Sequence, residues 1–162
     1  MSEKIKITPT GRFQERGGKN VDVTKCNFVF SEINSVVGDK EKATHIELKE
    51  GEKSVGGVTL EECKDPELAK RYIQLRVVVV DPEYQGGNAV LILYEKSIEY
   101  AESLSKNLLF DSSLTIGAYK SFKKLEDLGY KIIENPNTKF DGTYYRAEKS
   151  WVLRVERKTD EK

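Results

Sequence analysis

Two adjacent glycines, Gly86 and Gly87, separate a run of valines from a helical pattern. The run, Val77–Val80, is β-branched and continuously apolar, which predicts a strand buried on both faces. Asp81-Pro82 ends this strand, because proline cannot donate a hydrogen bond to a sheet. The glycines let the backbone turn tightly, and the first amides of the following helix have no partner inside that helix. A strand, a glycine turn and a helix N-terminus together predict an anion site, most often for phosphate.

The helix after the turn and the hairpin before the valine run are the clearest flanking elements. Apolar residues recur three and four positions apart from Val90 to Leu104, which predicts an amphipathic helix. Upstream, alternating residues over 45–49 and 54–60 predict two strands joined by a turn at 51–53. Gly56-Gly57 inside the second strand predicts a bulge or the close approach of another group.

The second half of the chain continues in the same alternating style. We expect a short buried strand over 107–111 and then a helix capped by Ser112 or Ser113. Gly129 would end that helix in the left-handed conformation. Strand patterns follow at 131–133, 143–145 and 151–155. Because a helix connects the valine strand to the next one, the order predicts a mixed α/β sheet with parallel pairing at its centre.

The N-terminal region allows two interpretations. Ile5–Thr8 alternates and could form a first strand. Asp22 or Thr24 could cap a helix that runs to about Val37, because several apolar residues follow with partial helical spacing. Phe28-Val29-Phe30 favours a strand equally. Both alternatives stay open at the level of the sequence.

Composition narrows the class of protein. The chain has 162 residues, which fits one domain over 1–162, and its 27 Lys+Arg balance its 27 Asp+Glu. This neutrality gives no case for nucleic acid or a membrane as partner, and no apolar run reaches the ~20 residues of a membrane span. Cys26 and Cys63 lie far apart, which predicts no metal site and favours two buried or idle thiols in a reducing cytosol over a disulfide or a nucleophile. We expect a cytoplasmic protein with a frayed tail at 157–162.

The turn and its surroundings resemble the GNAT superfamily of acyl-CoA-dependent N-acetyltransferases. The likeness is strongest over 45–155 and depends on Asp81-Pro82-Glu83-Tyr84-Gln85-Gly86, Val55-Gly56-Gly57 and Leu128-Gly129-Tyr130. It implies an α/β fold with a central twisted sheet of about six or seven strands flanked by helices. It also implies transfer of an acyl group from acetyl-CoA to a primary amine. The acceptor and the oligomeric state, a homodimer included, are left open.

The resemblance also implies where acyl-CoA would bind. The pantetheine arm would lie beside the valine strand like an added strand, and the amides of the turn would hold the pyrophosphate. The residues implied are Val78, Val79, Val80, Gln85, Gly86, Gly87, Asn88, Ala89 and Val90. In the family pattern, Asn88 stands where the second glycine is expected and Val90 stands where a small residue is expected.

The family's usual acid and base are replaced in this chain. The tyrosine thought to protonate the departing thiolate falls on Leu125, and the glutamate that some members use as base falls near Gln74. Tyr119 and Tyr130 are substitute candidates for the acid, and Glu83 is a candidate base acting through water; each could equally be a packing or surface residue. An alternative interpretation is a GNAT-fold binding module that has lost catalysis. The altered positions favour that alternative, and the retained Pro-Glu-Tyr-Gln-Gly motif favours an enzyme.

Overall fold

The computed structural model describes residues 19–34, 42–147 and 151–156. The predicted strand at Ile5–Thr8 and the predicted tail at 157–162 lie outside these residues. The strands are β1 (Cys26–Asn34), β2 (Lys42–Glu50), β3 (Lys53–Glu62), β4 (Tyr72–Val80), β5 (Asn107–Leu109), β6 (Ser113–Thr115), β7 (Lys131–Glu134), β8 (Lys139–Phe140), β9 (Tyr144–Arg146) and β10 (Leu153–Glu156). The helices are α1 (Pro66–Ala69), α2 (Ala89–Ser103) and α3 (Ile116–Lys123).

The described strands form two sheets. The larger has seven strands in the order β1-β2-β3-β4-β5-β10-β7, and the smaller has the order β6-β9-β8. β4 and β5 are parallel, whereas the other pairs are antiparallel. The predicted hairpin is confirmed as β2 and β3, and the predicted parallel pairing across a helix is confirmed as β4-α2-β5. The large sheet therefore matches the mixed sheet of six or seven strands, flanked by helices, that the family resemblance implied.

Helix α2 packs against strands β3, β4 and β5 of the large sheet. Its predicted apolar stripe is confirmed at Leu93, Tyr94, Ile98 and Ala101, which are buried against the sheet. The stripe is wrong at Leu104, which is the C-cap of the helix and 42% exposed. The Tyr94 ring makes edge-to-face contacts with the rings of Phe110 and Phe122. Within the part of the chain that the structure describes, no helix is long and apolar enough to cross a membrane.

The segment predicted as either a helix or a strand from Asp22 onward is a strand, so the helical interpretation is wrong. Asp22 does act as a cap, since its carboxylate accepts from the Thr24 amide at 3.0 Å, but only for one 3-10 turn, Val23–Lys25. β1 then pairs with β2 along its whole length. Phe28 faces α2 while Val29 points to the other face, which is the two-residue alternation of a strand. Pairing with β2 decided between two local patterns of similar strength.

The second predicted helix begins later than expected. Thr115 is its cap, accepting a hydrogen bond from the Ala118 amide at 3.1 Å. Ser112 and Ser113 are not caps, because Ser113–Thr115 is strand β6, paired with β9. α3 itself ends at Lys123, and a 3-10 helix, Lys124–Leu128, continues from it. Gly129 ends that continuation in the predicted left-handed conformation, with a φ of 99°.

Both cysteines are free thiols. Cys63 is buried, and burial raises the pKa of its thiol to about 11. The thiolate is the reactive form of cysteine, so Cys63 is kept in its unreactive state at neutral pH.

Candidate functional site

Strand β4 separates from β5 soon after it begins. The two strands pair only at Tyr72–Gln74, opposite Asn107–Leu109. From Leu75 to Val80, β4 stays paired with β3 on one side, while no described strand lies along its other edge. We call this opening beside β4 the strand gap. It exposes one row of backbone hydrogen-bonding groups, which can pair with an added extended chain.

A bulge at Arg76 changes which β4 side chains face the core. Thr59 pairs with Val77 and Leu60 with Leu75, so Arg76 is the extra residue of the bulge. Val78 and Val80 consequently pack against the core beneath α2. Val77 and Val79 point to the opposite face, where they are 36% and 60% exposed. The prediction of a strand buried on both faces is therefore wrong at these two valines.

The backbone of Val78 and Val80 is directed into the strand gap. The Asp81 amide donates to the Val55 carbonyl of β3 at 2.8 Å. Because peptide groups alternate in direction along a strand, the groups of Val80 and Val78 point away from β3. The Val80 carbonyl accepts a hydrogen bond from Gln85 Nε2 at 2.9 Å. An extended ligand in the gap could pair with the same row of groups.

The glycine turn connects this row directly to the N-terminus of α2. A 3-10 turn, Pro82–Tyr84, follows β4, and Gly86 adopts a left-handed φ of 90°. Asn88 is the N-cap of α2, with no capping hydrogen bond from its own side chain. Ala89 and Val90 are the first helical residues, whose amides have no acceptor inside the helix. The nine residues implied to bind acyl-CoA thus follow one continuous path, from the gap to the helix N-terminus.

The segment Lys19–Val21 lies directly on this turn. Lys19 donates its amide to the Glu83 carbonyl at 3.0 Å. Asn20 Oδ1 accepts from the Asn88 amide at 3.1 Å, and the Val21 amide donates to Asn88 Oδ1 at 2.7 Å. The Asn88 side chain also donates to the Val21 carbonyl at 3.3 Å. The Asn88 side chain therefore fixes a distant part of the backbone.

Gly87 is required by the same contact. A methyl group at this position would collide with the carbonyl oxygen of Lys19 and would lie 2.9 Å from Asn20 Oδ1. The missing side chain of Gly87 leaves the space in which the Lys19–Val21 backbone lies.

The closed end of the strand gap holds a charged cluster that sequence reasoning missed. Arg76 forms an ion pair with Asp111 on the far side of the gap, with 2.9 Å between Nη1 and Oδ1. Its Nε also lies 3.6 Å from Oε1 of Glu61. Gln74 donates from Nε2 to the Phe110 carbonyl at 3.2 Å. Two side chains of β4 therefore bridge the point where the strands part. The signal was a lone arginine inside an apolar strand, which is unusual unless the charge has a buried partner.

Tyr119 and Tyr130 are both hydrogen-bonded to carboxylates. The Tyr119 hydroxyl donates to Glu134 Oε1 at 2.5 Å, and its ring stacks on Tyr145 with centroids 3.8 Å apart. The Tyr130 hydroxyl donates to Glu95 Oε2 at 3.2 Å. Burial, and then the adjacent carboxylate, raise the pKa of Tyr119, and the same two causes raise the pKa of Tyr130 to about 12. In this arrangement both hydroxyls are weaker acids than an ordinary tyrosine.

Glu83 lies on the turn itself but is paired with two lysines. Its carboxylate oxygens lie 3.1 Å from Lys19 Nζ and 2.7 Å from Lys53 Nζ. Hydrogen bonds from Lys53 and Lys19 hold the pKa of Glu83 below its usual value. The lowered pKa makes this carboxylate a weaker base than a free glutamate.

Comparison with solved structures relates this arrangement to known proteins. A "putative N-acetyltransferase" from Lactobacillus plantarum matches with a TM-score of 0.54 at 14% identity, over 82% of this chain and 98% of its own. An IAA acetyltransferase from Bacillus cereus ATCC 14579 matches with a TM-score of 0.49 at 13% identity, over 80% of this chain and 97% of its own. Arabidopsis thaliana Naa50, solved with the bisubstrate analogue CoA-Ac-MVNAL, matches with a TM-score of 0.45 at 11% identity, over 70% of this chain and 72% of its own. No family model and no curated protein matches the sequence. The superposition on the Lactobacillus plantarum protein, with the seven-stranded mixed sheet flanked by helices, shows that this chain has the fold of the GNAT acetyltransferases.

Proposed function

We propose that this protein is an acyl-CoA-dependent N-acyltransferase that moves an acetyl group from acetyl-CoA to a primary amine in the cytoplasm. The observation that carries the proposal is the strand gap, which leads from Val78 and Val80 straight into the turn at Gln85–Val90. Two amides of an extended arm can pair with the row along β4. An anionic group can then reach amides at the start of α2. The likeness in fold to the Lactobacillus plantarum protein supports the same conclusion.

In this proposal, catalysis depends mainly on positioning. Acetyl-CoA supplies an activated thioester, and the acceptor amine attacks its carbonyl carbon and expels the thiolate. Holding the two reactants in line can supply a large part of the rate enhancement without any acid or base. Tyr119, Tyr130 and Glu83 remain predicted proton-transfer groups. Acid–base help of this kind is worth about 10²–10⁴-fold, so its loss would leave a slow enzyme.

A second candidate function is a GNAT-fold module that binds a partner without catalysis. The side chain that favours it is Leu125, at the family's acid position. Leu125 is fully buried in the core, so it has neither a proton to give nor access to a ligand. The segment Lys19–Val21 also favours this second candidate, because it already occupies the turn where acyl-CoA would bind.

Titration of the purified protein with acetyl-CoA separates the two candidates. We expect one binding site by calorimetry and a melting temperature that rises with ligand concentration. Gln85→Glu should weaken acetyl-CoA binding about tenfold, because it adds a negative charge beside the predicted pyrophosphate site. The loss should shrink at high salt, since Gln85 is exposed and its surroundings are screened.

The matched control is Gln85→Met, which also removes the hydrogen bond to the Val80 carbonyl but adds no charge. It should bind within about threefold of the wild type, as expected for one exposed hydrogen bond. No binding at millimolar acetyl-CoA would rule out the enzyme. Equal affinity of Gln85→Glu and the wild type would show that the anion site is elsewhere.

A further inference from the structure

The Lys19–Val21 segment takes up hydrogen-bonding capacity that an anion at the turn would need. An amide at a helix N-terminus is a good partner for a phosphate oxygen. Here the amide of Asn88, the N-cap of α2, already donates to Asn20 Oδ1 at 3.1 Å. The neutral side-chain oxygen of Asn20 lies where a phosphate oxygen would make the same bond. One N–H group cannot bond both oxygens at full strength.

The segment is held on the turn by contacts at both of its ends. Lys19 is held by its amide bond to the Glu83 carbonyl and by a 3.1 Å ion pair with the Glu83 side chain. Val21 is 4% exposed, packs in the main core and exchanges two hydrogen bonds with Asn88. Asn20 lies between these anchors with its side chain exposed. Lys19 and Asn20 can leave the turn once the contacts with Glu83 break, while the buried Val21 side chain stays in the core and its backbone bonds to Asn88 loosen.

The space beside Gly87 is filled by the same segment. The position of its missing side chain faces the Lys19 carbonyl and the Asn20 amide oxygen. The Lys19 carbonyl oxygen and Asn20 Oδ1 therefore both lie at the turn. In the proposed function, the phosphate oxygens of acyl-CoA bind at this same turn. The partial negative charges of the two chain oxygens would repel that anion if the segment stayed in place.

We propose that the Lys19–Val21 segment competes with acyl-CoA for the turn, so that the ligand binds only when Asn20 has released the Asn88 amide. The inference depends on the proposed function, because it concerns the same site. The apparent dissociation constant then equals the intrinsic one divided by the fraction of molecules in which the segment is released. Anything that detaches the segment raises the affinity for acyl-CoA, and acyl-CoA detaches the segment.

The test is calorimetric titration of the full chain with acetyl-CoA, in the wild type and in Asn20→Ala. Removing one hydrogen bond that holds the segment should tighten acetyl-CoA binding about three- to tenfold. Asn27→Ala, at an exposed position on the edge strand β1, is the matched control and should bind within about twofold of the wild type. Amide hydrogen exchange gives a second readout: saturating acetyl-CoA should speed exchange at Val21 in the wild type, because its bond to Asn88 is loosened.

Each other outcome has a distinct meaning. Equal affinity of Asn20→Ala and wild type, with unchanged exchange at Val21, would overturn the competition and leave the proposed function standing. Weaker binding by Asn20→Ala would also overturn it, since Asn20 would then belong to the ligand site. Failure of all three proteins to bind would overturn the proposed function and the inference with it.

Discussion

Replacing Gly56 with alanine should lower the free energy of unfolding by about 3 kcal/mol, an effect at the upper end of those known for overpacking. A methyl group at Gly56 would collide with the Val79 carbonyl oxygen and would lie 3.1 Å from Val80 Cα. Both obstacles are backbone atoms of β4, so they can yield only if β4 moves away from β3. Chemical denaturation in urea, followed by far-ultraviolet circular dichroism, would measure the change.

The neighbouring glycine provides the matched control. A methyl group at Gly57 would lie 2.8 Å from His45 Nε2 and Cε1 and 3.0 Å from the Ile46 carbonyl oxygen. The imidazole can rotate away, and alanine in a strand interior is favoured over glycine by about 0.5–1 kcal/mol. Gly57→Ala should therefore cost about 1 kcal/mol or less. Equal losses for the two variants would contradict the close contact between β3 and β4.

The same movement of β4 should weaken acetyl-CoA binding. Val79 and Val80 end the strand whose outer edge forms the strand gap. If Gly56→Ala stays folded, its affinity for acetyl-CoA should fall further than that of Gly57→Ala. This ranking connects the packing of β3 on β4 to the proposed site.

Replacing Arg76 with methionine should destabilise the protein by about 3 kcal/mol, because it removes the cation from two carboxylates that are largely shielded from water. Glu61 is 4% exposed, and the side chains of Arg76 and Asp111 are 18% and 29% exposed. Methionine keeps much of the apolar stem, so the loss reports mainly the charge. Unfolding in urea is again the measurement, and the acetyl-CoA affinity of the folded variant is a second one.

Arg146→Met is the control for this prediction. Arg146 also pairs with an aspartate, Asp141, at 2.8 Å, but the two side chains are 53% and 45% exposed. Ion pairs of that kind contribute about 0–1 kcal/mol. If Arg76→Met lowered the free energy of unfolding no more than Arg146→Met, the Arg76 ion pairs would contribute no more to stability than an exposed surface pair.

Local patterns in the sequence were enough to predict the central elements. One short-range physical preference underlies each of four features: the valine run, the proline after it, the glycine turn and the apolar stripe on α2. The elements that these features predict, β4, the turn and α2, are present in the structure. The parallel pairing of β4 and β5 followed because a helix connects them.

What the sequence could not predict depends on contacts between distant segments. The exposure of Val77 and Val79 follows from the bulge at Arg76 and the early parting of β4 from β5, neither of which has a local signature. Pairing with β2 decided the conformation of β1. The contact between Asn20 and Asn88 joins residues 68 positions apart. The sequence marks Asn88 as a departure from a family pattern, but only the folded chain brings it to its partner, Asn20.

In the proposed function, acyl-CoA binds along the strand gap with its phosphates at the turn. A titration of nitrogen-15-labelled protein with acetyl-CoA, followed through the backbone amide resonances, locates the bound ligand residue by residue. We expect the largest shifts at Val78, Val80 and the amides from Gln85 to Val90, with Val21 responding as its bond to Asn88 loosens. Shifts confined to another surface, such as the groove between β1 and α2 lined by Phe28 and Ile92, or no shifts at millimolar ligand, would contradict the claim.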